Sequence, residues 1–425
     1  MSLTTANGPA PAPAVETLSQ RLTKAAMAWG LAHQELVFRI LRNVAPILTV
    51  KVSGTTYALV TRFDDVTEIL NRPNSFDVTY APKIAVIMDG DNIFLGLPDT
   101  DQATRDKTIM RMAAPRAEAM SRVKPEVTAL AEAAMARAAV NGQVDLAMEL
   151  TQDVTTRFFG AYFGTPGEDL TAFSDQTRLL FHFMFADQSN DPALAALARP
   201  ASAAMRAYVE GAIAARKTAR GVHDDILERC LSFQDQGVIG MDDRGIRNNL
   251  IGLIVGALPQ APMVVPQLFD VLLDRPGELA QAQAAAIADD DERLSAIVFE
   301  ASRFHPLTPA LFRTAMEDYR LAGGTLRAKT IPAGATVLAA TRSAMFDGRR
   351  VPDPTAFQPG RPTYSYMHFG GGMHECFGIH MNRVMIPAIC KAVLKRPGLR
   401  RAPGSAGILV KDGAFAKSLV VSFDA

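Results

Sequence analysis

Cysteine is scarce in this chain: Cys230, Cys376 and Cys390 are the only three among 425 residues. Three in a chain this long exclude a disulfide framework and point to a reducing compartment, the cytoplasm. Net charge is lacking too. Forty-four Lys and Arg balance 44 Asp and Glu, so the sequence has none of the basic footprint of a nucleic-acid binder. Long apolar runs are missing: the most apolar stretch, Leu250–Leu258, stops at Pro259 and is too short to span a bilayer. Met1–Val15, rich in Ala, Pro and Thr, has no basic start followed by an apolar core. It does not read as a secretory signal and is expected to be a disordered lead to a single domain over residues 16–425. There is no internal repeat.

What is present is mostly helical pattern, in a chain apolar enough (48%) to bury a large core. Helical periodicity runs from Leu18 to Val44. Leu48–Val52 and Tyr57–Thr61 alternate around Ser53-Gly54, which predicts a β-hairpin. Phe63–Leu70 reads as a short helix with Asp64 and Asp65 in its first turn, stopped at Asn71-Arg72-Pro73. Residues 77–100, punctuated by Pro82, Gly90, Gly96 and Pro98, read as a long loop of the kind that often carries function. From Asp101 to about Arg220 helix dominates, and Ala129–Ala139 is a strong helix former. A long apolar helix interrupted by prolines is expected over Asp243–Leu273, with further helices over Gly277–Ala288 and Asp291–Arg303. After His305-Pro306, residues 307–362 turn to Gly, Pro and β-branched types, which predicts short strands and turns. A last helix, Ile379–Leu394, and a hairpin-like tail, Gly407–Phe423, complete the chain. The fold class is mainly α with a smaller β-rich part.

One segment has an unusual composition: Phe369-Gly-Gly-Gly-Met-His-Glu-Cys-Phe-Gly378. Gly370 and the two glycines after it permit backbone angles closed to other residues and a close approach to a flat ligand. Gly378 stands where the chain must turn into the last helix. The Cys376 side chain then lies near that helix's N-terminus, where the dipole and free N–H groups stabilise a thiolate. A lone cysteine beside glycines is ordinarily a buried cysteine in a turn. Here Phe369, Gly372, His374, Cys376 and Gly378 together match Phe-x-x-Gly-x-His-x-Cys-x-Gly, and the segment resembles the haem-ligand loop of the cytochrome P450 family.

The resemblance extends from about residue 45 to the C-terminus. Glu300-Ala-Ser-Arg303 places an acid and a guanidinium on one helical face, 76 residues before Cys376, and resembles the family's buried structural clamp. Phe346–Pro362 resembles the family's meander, except that Ala356 stands where an Arg is usual, so Arg361 is expected to take over its ion pair. Several expectations follow from the resemblance. The fold is a cytochrome P450 fold. The cofactor is haem b, with Cys376 as iron ligand, and a thiolate there favours O–O cleavage. Its carboxylates fall to His374, Arg313 and Lys107, the last in the place of a usual Arg and without its planar fork. Ala103 stands where a usual His is lost.

The central helix departs from the family's pattern. Gly256-Ala257-Leu258-Pro259-Gln260 puts Pro259 in the acid's place and Gln260 in the threonine's, while Gly256 keeps a flat surface over the cofactor. A proline inside a helix costs ~3 kcal/mol and frees a carbonyl, so a kinked or opened helix is expected there, its carbonyls open to water or substrate. The leading expectation is a monooxygenase that inserts one oxygen from O2 into a lipophilic small molecule. No flavin or iron–sulfur motif occurs, so electrons would come from a ferredoxin-type partner, attracted by Lys391, Lys395, Arg396, Arg400 and Arg401. The alternatives are a peroxide- or hydroperoxide-using enzyme of the same fold and a non-catalytic haem-binding protein. The substrate pocket is expected at Met88, Phe94, Leu95, the Phe181, Phe183, Phe185 stripe, Leu307, Leu311 and Phe415. The ligand assignment predicts that the reduced protein with carbon monoxide shows the red-shifted Soret band of thiolate ligation. Cys376→Ser should abolish it, and Cys230→Ser and Cys390→Ser should leave it in place.

Overall fold

The computed structural model describes residues 33–52, 54–413 and 415–424. The lead over Met1–Val15 and the first part of the helix expected from Leu18 lie outside them. The chain begins with α1 (Gln34–Val44) and a hairpin of β1 (Ile47–Val52) and β2 (Thr55–Val60), in which Ile47 faces Val60. Gly54 turns it at φ +88°. β2 pairs in parallel with β8 (Thr336–Ala339), β8 pairs antiparallel with β5 (Leu311–Ala315), and β3 (Phe76–Val78) closes the edge. The result is a five-stranded sheet, β1-β2-β8-β5-β3.

The remaining helices are α2 (Phe63–Leu70), α3 (Ala81–Ile87), α4 (Asp101–Ala113), α5 (Lys124–Ala138), α6 (Gln152–Phe163), α7 (Leu170–Phe181), α8 (Pro192–Thr218), α9 (Ile226–Asp235), α10 (Asp243–Ala257), α11 (Gln260–Leu273), α12 (Pro276–Ile287), α13 (Asp291–Phe304), the single turn α14 (Thr341–Ala344) and α15 (Ile379–Leu394). Side-chain caps fix many starts: Thr100, Asp169, Asp225, Asp242 and Asp290 each accept a first-turn N–H, as expected of such residues at an N-cap. Gln143–Asp145 (β4), Arg400–Arg401 (β9) and Val420–Ser422 (β12) form a three-stranded sheet. Tyr319–Leu321 (β6) pairs antiparallel with Lys329–Ile331 (β7), and Val410–Asp412 (β10) and Phe415–Ser418 (β11) form a hairpin. The expected tail hairpin is therefore confined to β10–β11, because β12 pairs with β4 and β9 instead.

Two expectations are corrected. Residues 77–100 are not all loop: Pro82 falls in the first turn of α3, where a missing N–H costs nothing, so it starts a helix. The long helix over Asp243–Leu273 is interrupted only at Leu258-Pro259. Both residues keep right-handed helical angles (φ −62°, ψ −45° and φ −80°, ψ −16°), so hydrogen bonding is broken rather than backbone conformation. Pro262 has no N–H to give the Leu258 carbonyl, and that carbonyl accepts from Thr155 Oγ1 instead, at 3.2 Å. It is taken by the protein, not left for substrate. This 31-residue stretch is long and apolar enough to cross a membrane, yet 78% of its apolar window is buried inside the protein. It is the core helix of the fold, packed on α7, α8, α13 and α15.

The cysteine segment is held from behind by one carboxylate. Glu300 and Arg303, both fully buried, meet on α13: Arg303 Nη2 donates to Glu300 Oε1 at 2.7 Å and Nε to Oε2 at 3.1 Å. Arg361 Nε donates to Oε1 at 3.2 Å, the Gln358 N–H to Oε1 at 2.9 Å, and the Tyr366 hydroxyl to Oε2 at 3.1 Å. The guanidiniums in turn donate to the carbonyls of Met345, Pro354 and Ala356 from Arg303, and of Pro352, Asp353 and Ala356 from Arg361. Burial pushes the Glu300 carboxyl up, but its donors outweigh this and hold it below the usual carboxylate range. Removing one partner of such a network strands buried charge and costs about 3–5 kcal/mol. Glu300→Ala should therefore give little folded protein, measured as soluble yield and thermal midpoint. Wild-type stability in that variant would contradict the clamp.

Candidate active site

The cysteine loop is built by backbone hydrogen bonds before any ligand is considered. The Cys376 N–H donates to Phe369 O at 2.9 Å, closing the loop on itself. Gly370 and Gly372 have φ of +72° and +67°, a region that favours glycine. A Cβ on Gly372 would lie 2.2 Å from Leu70 O, so this glycine answers a close approach to α2 rather than to a flat ligand. Gly378 caps α15. The Cys376 thiol is pushed up by burial, and the Gly378 N–H, the Arg111 guanidinium and the Asn382 side chain oppose that rise.

Above the loop lies a cavity of about 860 Å³, lined by both sheet and helices. Cys376, Phe369, Gly370, Gly378, His374 and Arg313 meet at its floor, while Gly256 and Gln260 face it from α10 and α11. Leu95, Leu307, Leu311, Phe181, Phe185 and Phe415 also line it. The polar groups at the floor are only partly satisfied. His374 Nε2 is buried with no hydrogen bond. Arg313, 4% exposed, donates only to the Phe312 carbonyl among the hydrogen bonds of the described residues, and forms no ion pair there. Burial, with Arg313 and Lys107 nearby, pushes His374 down to about 4, so its imidazole is neutral at pH 7. Buried polar groups with unused hydrogen-bonding capacity are costly. Two of them at the rim of an apolar cavity fit the carboxylates of a planar, otherwise apolar cofactor, and the cysteine loop fits its iron.

Five expected site residues do not line the cavity. Met88 and Phe94 belong to the core: Met88 caps α3 and is fully buried, and Phe94 packs on Phe377 at 5.1 Å. Phe183 is buried beside Lys83, 5.4 Å from its ring. Residues 181 and 185 are one helical turn apart and share a face, whereas 183 points away; the alternate-residue stripe has the wrong period for a helix. Pro259 lies off the face shared by Gly256 and Gln260, against Ala147, Met148 and Ala416, so it removes an acid without lining the cavity. Lys107 reaches the same loop, but its ammonium donates to Met373 O at 2.6 Å and does not line the cavity.

Other residues escaped the sequence reading. Tyr80, whose ring packs on Phe185 at 4.9 Å, and His182, packed on Phe415 at 5.0 Å, both line the cavity. Asn382, facing it from α15, could have been found by spacing: it is one turn past Gly378 on the helix that follows the cysteine.

Comparisons with known proteins agree with this geometry. The family model described as Cytochrome P450 matches residues 292–406, the span from α13 through the cysteine loop to α15. The mycinamicin IV hydroxylase/epoxidase of Micromonospora griseorubida is 26% identical over 85% of this chain and 87% of its own length. The mycinamicin VIII C21 methyl hydroxylase of the same organism is 25% identical over 91% and 94%. Among solved structures, CalO2 superposes with a TM-score of 0.77 at 21% identity over 93% of this chain and 97% of its own. P450BioI, solved with an acyl carrier protein carrying hexadec-9Z-enoic acid, gives 0.78 at 17% identity over 93% and 99%. The chain belongs to the cytochrome P450 family and has its fold. It is a P450 monooxygenase, an oxidoreductase, and the family's cofactor is a haem with a thiolate ligand.

The polar groups at the cavity floor generate a prediction. Arg313→Ala and His374→Ala should each speed transfer of the cofactor to an apoprotein acceptor by about tenfold, on the order of 1.4 kcal/mol. Lys107→Ala should do so less, since its ammonium already has a carbonyl partner. Unchanged transfer in both of the first two variants would remove them from the cofactor site.

Proposed function

We propose that the cavity holds haem b with Cys376 as its iron ligand, and that the enzyme oxidises a lipophilic small molecule bound above it. One observation carries this reading: an apolar cavity whose floor brings a cysteine together with two buried polar groups that keep unused hydrogen-bonding capacity, the Arg313 guanidinium and His374 Nε2. Bound there, the haem supplies the activation of oxygen. The chain's residues do the rest: Arg313 and His374 bind carboxylates, Gly256 leaves a flat surface over the ring, and Phe181, Phe185 and Phe415 exclude water and hold an apolar substrate. The cavity draws its lining from Gln34 through Phe415, which supports reading residues 16–425 as one domain. Three free cysteines and a core helix buried within the protein support a cytoplasmic enzyme.

Electrons would come from an external ferredoxin-type protein, but the docking face differs from the sequence expectation. Lys391 and Lys395 pair with Asp289, Lys391 also with Asp291, Arg396 with Glu132, Arg400 with Asp424, and Arg401 with Asp270 and Asp274. That face is neutralised. Arg116 and Arg383 are exposed, have no ion pair among the described residues, and lie with Arg111 near His380 on α15. With the exposed Met112 and Met120, they form the positive face beside the cysteine loop. An acidic partner would be steered there.

A second reading is favoured by the distal wall. Gly252, Leu253, Gly256, Ala257, Gln260, Ala261 and Val264 line the cavity from α10 and α11, and none can ionise. Gln260 can hold a water by donating and accepting, but it cannot pass on a proton of its own. An enzyme that takes oxygen already reduced, as peroxide or an organic hydroperoxide, does not need an external electron supply. The expected outcome is poor coupling of electron use to product with O2 and surrogate redox proteins, and measurable turnover with peroxide. Pro259→Asp combined with Gln260→Thr should raise coupling. Near-complete coupling in the unmodified protein, with no peroxide-driven turnover, would leave the O2-dependent reading alone.

A further inference from the structure

The Cys376 sulfur has a side-chain neighbour as well as a backbone one. Asn382 sits one turn into α15, and its backbone N–H donates to Gly378 O at 2.8 Å. That turn carries its side chain back along the helix, toward the cysteine loop. The position that a Cβ on Gly378 would occupy is 3.2 Å from Asn382 Nδ2 and 3.9 Å from Cys376 Sγ. Amide and sulfur therefore flank one small volume, which glycine at 378 keeps clear. Both Asn382 and Cys376 line the cavity, and the Gly378 N–H and the Asn382 side chain both favour the charged form of the sulfur.

Backbone donors at a helix start accompany any residue placed there. A side-chain amide does not: it is encoded at one position and can be removed without moving the backbone. We propose that Asn382 is a positioning residue for the iron ligand, its amide donating a hydrogen bond to the Cys376 sulfur and thereby raising the iron's reduction potential. The inference rests on the reading of Cys376 as the haem ligand. An N–H donor stabilises negative charge localised on sulfur and so withdraws density from the metal. The reduced iron, which carries one more electron, gains more from that withdrawal than the oxidised iron. Hydrogen bonds around a ligating group are an established means of tuning a metal centre. Arg111 acts in the same sense by charge: its guanidinium lies 4.0 Å from the centre of the Phe377 ring and donates to Phe377 O.

The test uses the haem-loaded full chain. N382L keeps similar bulk without a donor, N382A removes the group, and N382D keeps the shape but presents an acceptor. Spectroelectrochemical titration should give a more negative iron potential in N382L and N382A than in wild type, and more negative still in N382D. Resonance Raman should show a higher Fe–S stretching frequency in the same order, as the unshielded sulfur binds the iron more strongly. Wild-type potential and Fe–S frequency in haem-loaded N382L or N382A would overturn the proposal. Failure of all three variants to hold haem would overturn it too, since the residue would then serve packing alone. If instead Cys376 were not the ligand, wild type itself would lack the red-shifted carbon monoxide band, so the two failures are separable.

Discussion

The Glu300 carboxylate is the constraint on which the active site depends. It is fully buried, and it binds two guanidiniums, a backbone N–H and a tyrosine hydroxyl. Through these it joins α13 to the irregular stretch from Met345 to Tyr366, which has little regular structure to hold it. His368 continues the series, its Nε2 2.9 Å from Phe299 O on the same helix; burial pushes this histidine down to about 4, so it remains uncharged there. One residue further on, Phe369 O receives the Cys376 N–H. The cysteine is thus placed by a chain of polar contacts that begins at a single acid. A buried ion pair of this type is weak evidence of stability by itself, but breaking it is costly. That asymmetry suits a clamp whose purpose is to fix a loop in one conformation.

Charge is handled differently on the two sides of that loop. Behind it, from Lys391 onward, basic residues are matched with acids, as with Lys391 and Arg401. Surface pairs of this kind contribute little to stability, but they cancel the field. At the cavity floor the reverse holds: Arg313 is buried with no acid and only the Phe312 carbonyl as acceptor, and His374 Nε2 is buried with no hydrogen bond. The floor is therefore incomplete by itself and suited to a ligand with negative charge at its edge and an apolar body. The sulfur, whose charged form the Gly378 N–H and the Asn382 side chain both favour, completes the same pattern from below.

The core helix combines two demands that usually conflict. Its prolines weaken the hydrogen-bond ladder between the cavity-lining Gly256 and Gln260, yet right-handed geometry continues through Leu258 and Pro259. Thr155, from α6, replaces the donor that Pro262 lacks. The Leu258 carbonyl is therefore satisfied on the core side, and the cavity side presents Gly256, Gln260 and apolar residues. The distal wall is apolar because of which helical face each residue occupies, and the loss of the acid at Pro259 is a change of composition without a distortion of shape.

The sequence by itself determined the mainly α class, the bounds of α2 and α15, the hairpin at Gly54, the cysteine motif and the pairing of Glu300 with Arg303. These are local properties: periodicity, turn chemistry and fixed spacings within a few residues. Tertiary structure alone decided the rest. Phe183 and Phe185 have the same chemistry, and only the helical phase sends one to the core and the other to the cavity. Met88 and Phe94 are as apolar as Leu95, but the path of the loop buries them. The basic residues after Cys376 looked like a docking face until their acids, more than a hundred residues away for most, folded against them. Side-chain direction and long-range neutralisation depend on contacts that no local pattern encodes, and they fixed which residues face the cofactor, which face a partner, and which serve the core.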